Sequence, residues 1–83
     1  MAACFYDVSI DMPKTGRNIV RLMERRGMSK RELAERLGFT TVQAIFKWQY
    51  GRSLPSLDNL VVLSRLFDCP IEDILVLRER RAG

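Results

Sequence analysis

The 83-residue chain carries 14 lysines and arginines against 10 acidic residues, a formal +4, in a composition ordinary for a globular protein. That length holds one domain and not two, with a core small enough that oligomerisation is a common reinforcement. There is no histidine and the two cysteines, Cys4 and Cys69, lie far apart, which excludes an ordinary zinc site and leaves two reduced thiols, or an intermolecular pairing through Cys4, as the readings.

Residues 1–14 read as an N-terminal arm. Val8, Ile10 and Met12 alternate with Ser9 and Asp11, the period of a strand, and Pro13 stops it. The arm is either frayed, folded over the core, or a short strand that pairs across a dimer, because an isolated strand buries too little to stand alone. A first helix is predicted from Thr15, as N-cap, to Arg26, with Ile19, Leu22 and Met23 buried and Gly27 ending it. Arg17, Arg21 and Arg25 share one of its faces, a spacing at which like charges repel by about 0.2–0.5 kcal/mol per pair. That face is either solvated and relieved by Glu24, or turned toward phosphates.

Ser29 and Glu32 have the spacing of a capping box, and Met28 and Leu33 that of a hydrophobic staple. Leu33, Ala34 and Leu37 mark a buried helical face, and Gly38 ends this second helix. Thr40 restarts the chain as a third helix, with Gln43 as a possible capping partner. Ala44, Ile45 and Trp48 face inward by spacing, and Gly51 closes it.

Ser56 is the expected cap of a fourth helix that opens at Pro55, with Asp58 in its first turn. Leu57, Leu60, Val61, Leu63, Leu66 and Phe67 are too many for a narrow stripe, so this helix is expected to be the central, most buried one. Asp68 stops it. Pro70, Glu72 and Asp73 suit the first turn of a fifth helix. Its Ile71, Ile74 and Leu75, with Leu77, either pack on the fourth helix or form a dimer patch. The run RERRAG from Arg78 reads as a soluble tail. The domain is drawn over residues 15–80, with 81–83 left as the tail.

Two helices joined by a tight glycine turn, SKRELAERLGFTTVQAIFKWQYG at residues 29–51, make the helix-turn-helix pattern. Together with GMSKRELAERLG, KWQYGRSLPSLDNL and CPIEDIL, it resembles the phage-repressor/Cro-type (xenobiotic response element) family of helix-turn-helix transcriptional regulators, over about residues 15–77. The resemblance implies an all-α, compact five-helix lambda-repressor-like DNA-binding domain with a short N-terminal arm. Between Gly38 and Gly51 the chain has twelve residues, one more than the commoner family pattern. Ile45 and Trp48 align, so the extra residue falls in Phe39–Val42. Many family members carry an Arg where Met23 stands and an acid where Gln49 stands; here neither is charged, and packing without a salt bridge is expected.

The resemblance also implies that the second motif helix, residues 41–50, enters the major groove of double-stranded DNA. Its outward positions are Val42, Gln43, Phe46 and Lys47. Gln43 can bond adenine, Lys47 can donate to guanine, and Val42 and Phe46 can touch thymine methyls. The alternatives are that Phe46 tucks against a neighbouring helix and that Gln43 is occupied by Thr40. Phosphate contacts are assigned to Lys30, Thr40, Thr41, Tyr50, Arg52 and Arg17. Reading a palindrome needs two such helices roughly 34 Å apart, so a homodimer is expected, acting as a repressor and regulated by abundance, proteolysis or a regulatory protein partner.

The competing reading is a protein-interaction module, antitoxin-like, that uses the same fold to hold another protein. Catalysis is not expected: there is no histidine and no glycine-rich phosphate loop, and the acids do not cluster into a metal set. No cofactor is called for. No apolar run approaches the roughly 18 residues of a membrane span, and no signal-peptide pattern opens the chain, so a cytoplasmic location is expected.

Overall fold

The computed structural model describes residues 6–81 and places five helices between two short strands. In chain order these are β1 (Tyr6–Ile10), α1 (Met12–Arg25), α2 (Lys30–Arg36), α3 (Gln43–Gln49), α4 (Leu57–Phe67), α5 (Ile71–Ile74) and β2 (Leu77–Arg81). The body is the five-helix domain expected from the sequence. The sheet is an addition to it. Cys4 and the last two residues lie outside the described residues.

Three helix ends follow one design. After α1, α2 and α3 a glycine takes positive φ, +69° at Gly27, +79° at Gly38 and +71° at Gly51. In each case the glycine N–H and the next N–H turn back onto carbonyls of the last turn, as in Gly38 to Glu35 at 3.1 Å and Phe39 to Ala34 at 2.9 Å. This satisfies carbonyls the helix leaves open, in a backbone shape that costs glycine least. Asp68 takes the same left-handed shape after α4, at φ 53°.

The start of α1 corrects the reading of Thr15 as its cap. The N-cap is Asp11, whose carboxylate accepts the Lys14 N–H at 3.0 Å. Pro13 sits in the first turn, where its missing N–H is no loss, so it begins the helix where the sequence reading had it end a strand. Thr15 is fully buried, and its hydroxyl accepts the Val76 N–H at 2.9 Å and faces the Val76 carbonyl at 3.3 Å. Asn18, one turn on, donates to the carbonyls of Asp73 and Ile74 at 2.8 and 2.9 Å. One face of α1 therefore holds the end of α5 and the segment that follows it.

That clamp sets up the sheet. The Asp11 N–H donates to the Val76 carbonyl at 2.8 Å, and from there β1 and β2 run antiparallel, with Ile10 opposite Leu77 and Tyr6 opposite Arg81. Of the strand-like run at residues 8–12, residues 8–10 belong to β1, whereas Asp11 caps α1 and Met12 opens it. The partner of β1 is the run from Leu77, most of which reads as a soluble tail in sequence.

The core gathers Ile19, Val20 and Met23 of α1, Leu33 and Ala34 of α2, Ile45 and Trp48 of α3, Leu60, Leu63 and Phe67 of α4, and Ile74 of α5. Helix α4 is less buried than its composition suggests. Leu60, Leu63 and Phe67 form its inner stripe, while Leu57 is 80% exposed and Val61 and Val62 also face outward. Leu66 packs against the core only in part, so the covered face of α4 is a stripe and not the whole helix.

Candidate nucleic-acid interface

The motif is set by local chemistry at each joint. Ser29 caps α2, accepting the Glu32 N–H at 3.1 Å, and its hydroxyl lies 3.3 Å from the Glu32 carboxylate. Gly38 turns the chain, and Phe39 then packs edge-on against Trp48, ring centroids 5.9 Å apart. This aromatic contact fixes α3 against the turn from inside. Residues 39–42 are not helical, and α3 begins at Gln43.

The expected Thr40–Gln43 capping box is not formed. Val42 is the N-cap residue and makes no side-chain cap bond. The Gln43 N–H instead meets the Thr41 hydroxyl at 3.3 Å, two residues back. The Gln43 side chain is thereby released from a capping role.

Gln43, Phe46 and Lys47 lie on the exposed face of α3. Thr40, Thr41, Gln43 and Lys47 line one shallow depression with Ser53, and none of its lining residues is acidic. Val42 is half-buried against the core. A second depression on the other side of the turn is lined by Thr40, Thr41 and Val42 together with Arg31 and Glu35. Arg31 and Ser53 are absent from the sequence-chosen set. Arg31 was legible as the basic neighbour of Lys30 at the start of α2, whereas Ser53 reaches the site only through the fold of the loop after Gly51.

Phe46 leans against the start of the neighbouring helix α2, through Lys30, without entering the core. It is 38% exposed, with Tyr50 one turn on at 64%. Their rings stack 14° from parallel at 6.3 Å, and the Lys30 ammonium sits 5.0 Å from the centre of the Phe46 ring. A cation in that position is attracted by the ring face. Lys30, Phe46 and Tyr50 therefore make one outward ridge joining the start of α2 to the end of α3. Arg52 is exposed just past it, its N–H held by the Lys47 carbonyl at 2.8 Å. Arg17 stands apart, in a groove on α1 with Lys14, Asn18 and Arg21.

Behind the motif, Met23 is buried and no ion pair joins it to α3, as its chemistry requires. The Gln49 amide oxygen is buried without a hydrogen-bond partner. Among the described residues no group of three or more side chains is placed to hold a metal ion, and no helix is long and apolar enough to cross a membrane.

Comparison with known proteins agrees with this geometry. Residues 19–74 match the helix-turn-helix family. Among solved structures, the chain is similar to the restriction-modification controller protein C.AhdI from Aeromonas hydrophila. The two share 23% identity at a TM-score of 0.67, over 77% of this chain and 96% of that one. No curated protein sequence gives a match.

Proposed function

The chain belongs to the helix-turn-helix family of the Cro/C1 type, and from that premise we propose that it is a sequence-specific DNA-binding transcriptional regulator, a repressor acting as a homodimer with α3 in the major groove. The observation that carries this reading is the outer face of α3. Gln43, Lys47 and Phe46 project from it beside Thr40 and Thr41, over a surface with no carboxylate in its central depression. A major groove admits such a helix, and these side chains can address adenine, guanine and a thymine methyl.

In this reading Gln43, Phe46 and Lys47 read bases, with Val42 limited to a glancing methyl contact. Lys30, Thr40, Thr41, Tyr50, Arg52 and, at greater distance, Arg17 bind phosphates, which fix register without choosing sequence. Selection from a random DNA pool at moderate salt tests it. Enrichment of a palindrome supports the proposal, and its half-site spacing gives the separation of the two α3 helices. Retention without any enriched sequence overturns it.

A second reading, an antitoxin-like protein-interaction module, draws on the exposed Phe46–Tyr50 stack, because aromatic side chains dominate the energetics of protein interfaces. Salt separates the two. Phosphate binding weakens steeply with added salt through counterion release, whereas an aromatic interface changes little.

A further inference from the structure

The two-stranded sheet is left incomplete by the chain that makes it. Two strands alone are marginal in water, and further strands or packing against a helix are needed to stabilise them. In antiparallel strands, directly opposed residues share a face, so Val8, Ile10 and Leu77 lie on one side of the ribbon. Ile10 is half-buried where the ribbon joins the helices, but Val8 and Leu77 are 47% and 49% exposed. The helical body leaves these residues uncovered.

The two edges of the ribbon differ in chemistry. The sequence of β2 is LRERR. Pairing it antiparallel with its own copy about Glu79 would set Glu79 against Glu79 and Arg78 against Arg80, and like charges directly opposed are destabilising. Charges of this kind are how proteins guard an edge against pairing. The sequence of β1 is YDVSI, with a single acid, and it is self-complementary about Val8. Paired antiparallel with a second copy, Val8 meets Val8, Ser9 meets Asp7 and Ile10 meets Tyr6. In that register the axis pair is apolar and no two like charges are opposed.

We infer that β1 is the dimer strand: a second copy of this chain docks along its free edge, antiparallel and centred on Val8, to give a four-stranded sheet in the order β2-β1-β1-β2. The inference rests on the homodimer proposed above and names its surface. A two-fold axis through the Val8 pair makes the contact isologous, so it closes at two copies and leaves the guarded β2 strands as the outer edges. The exposed residues Leu57 and Val61 of α4 are the rival surface.

Sedimentation velocity on the full chain, alone and on its selected DNA, tests this. Val8→Lys sets two ammonium groups face to face at the axis, and Val8→Thr keeps a neutral β-branched side chain there. The expected result is a dimeric wild type and Val8→Thr protein, and a Val8→Lys protein of half that mass with unchanged far-UV circular dichroism. A Val8→Lys protein that stays dimeric while Val61→Lys becomes monomeric overturns the strand assignment and leaves the dimer standing. A wild type that is monomeric alone and binds DNA as one copy overturns the dimer itself.

Should Val8→Lys fail to fold, Val8→Cys in a Cys4→Ser, Cys69→Ala background decides. Opposed Cα atoms about 4.5–5.5 Å apart lie within disulfide range. Oxidation is expected to link the chains in pairs, and absence of linkage in a sedimenting dimer overturns the assignment.

Discussion

Gly16 of α1 lies against the backbone of Trp48 in α3. A Cβ built on Gly16 would fall on the Trp48 carbonyl and within 2.9 Å of the Gln49 Cα. The contact is backbone to backbone, so no side chain can rotate out of the way. A second contact lies nearby, where Gly51 faces the Pro13 ring with its Cβ position 2.6 Å from the Pro13 Cγ. The end of the candidate recognition helix is thus seated on the first turns of α1 by two glycines. Gly16→Ala is expected to lower stability by about 1–3 kcal/mol, the usual cost of overpacking, and to weaken DNA binding by shifting α3. Gly27→Ala is the control: its φ is +69° but nothing lies within 4 Å, so it is expected to cost about 1–2 kcal/mol of conformational strain with binding unchanged. Urea denaturation and a binding titration on the same samples check both.

Thr15 connects the same helix to the opposite end of the chain. Its buried hydroxyl serves both the N–H and the carbonyl of Val76, at 2.9 and 3.3 Å. Thr15→Val keeps the shape and removes both contacts. The Val76 N–H then has no partner, while its carbonyl keeps the Asp11 N–H at 2.8 Å. Leaving one partly buried donor unmet costs about 1–3 kcal/mol, and that is the expected loss in a urea titration. Hydrogen exchange is expected to quicken first at β1 and β2, because Val76 is the residue from which the ribbon departs.

How legible each part was depends on how local its cause is. The glycine caps at Gly27, Gly38 and Gly51, the Ser29 and Ser56 caps and the end of α4 at Asp68 all follow from residues within one turn, and the sequence alone places them, though not the left-handed shape Asp68 takes there. Pro13 misleads because the same residue ends a strand or opens a helix, and only the Asp11 cap decides. The ribbon was hidden because the strand at residues 6–10 finds its partner at the far end of the chain, in a run whose arginines look like solvent-loving tail. Helix α4 was overestimated because composition counts apolar side chains without saying how many neighbours will cover them. At the candidate site, the inward pair Ile45 and Trp48 fixes the outward one, Gln43 and Lys47, by helical spacing. The start of α3 depended on loop geometry around Thr40 and Thr41, which no local rule supplies.

Asp11 predicts an acid-limb effect. Its carboxyl is held below the usual carboxylate value, first by the Lys14 backbone N–H, with desolvation opposing and the Arg78 charge assisting; the Arg78 guanidinium is 3.5 Å away. A carboxylate whose folded value is depressed stabilises the fold fully above its unfolded value, about 3.9. That contribution is lost as pH falls through the lower folded value. Asp11→Asn retains a good capping oxygen but carries no charge. The wild type is therefore expected to melt higher than Asp11→Asn near pH 6, with the gap closing as pH drops below about 3.9. A gap independent of pH would assign the difference to cap geometry and not to charge.

The proposed division between phosphate contacts and base reading around α3 gives the last prediction. Arg52 is exposed past Gly51, with its N–H tied to the Lys47 carbonyl, whereas the Lys47 side chain projects from the helix into the depression shared with Gln43. If Arg52 meets a phosphate, Arg52→Ala weakens binding to all sequences alike and lowers the salt slope by about 0.9, one counterion's worth. If Lys47 meets guanine, Lys47→Ala costs about 1–3 kcal/mol against sequences that carry that base and little against those that do not. Phe46→Ala probes the ridge between them: it removes the ring beneath the Lys30 ammonium and beside Tyr50, so it is expected to lower affinity with a smaller change in salt slope than Arg52→Ala. Titrations of all three variants on the selected site and on a base-substituted site, each at two salt concentrations, check these outcomes. An unchanged base preference in Lys47→Ala removes Lys47 from the reading set, and an unchanged salt slope in Arg52→Ala removes Arg52 from the phosphate contacts.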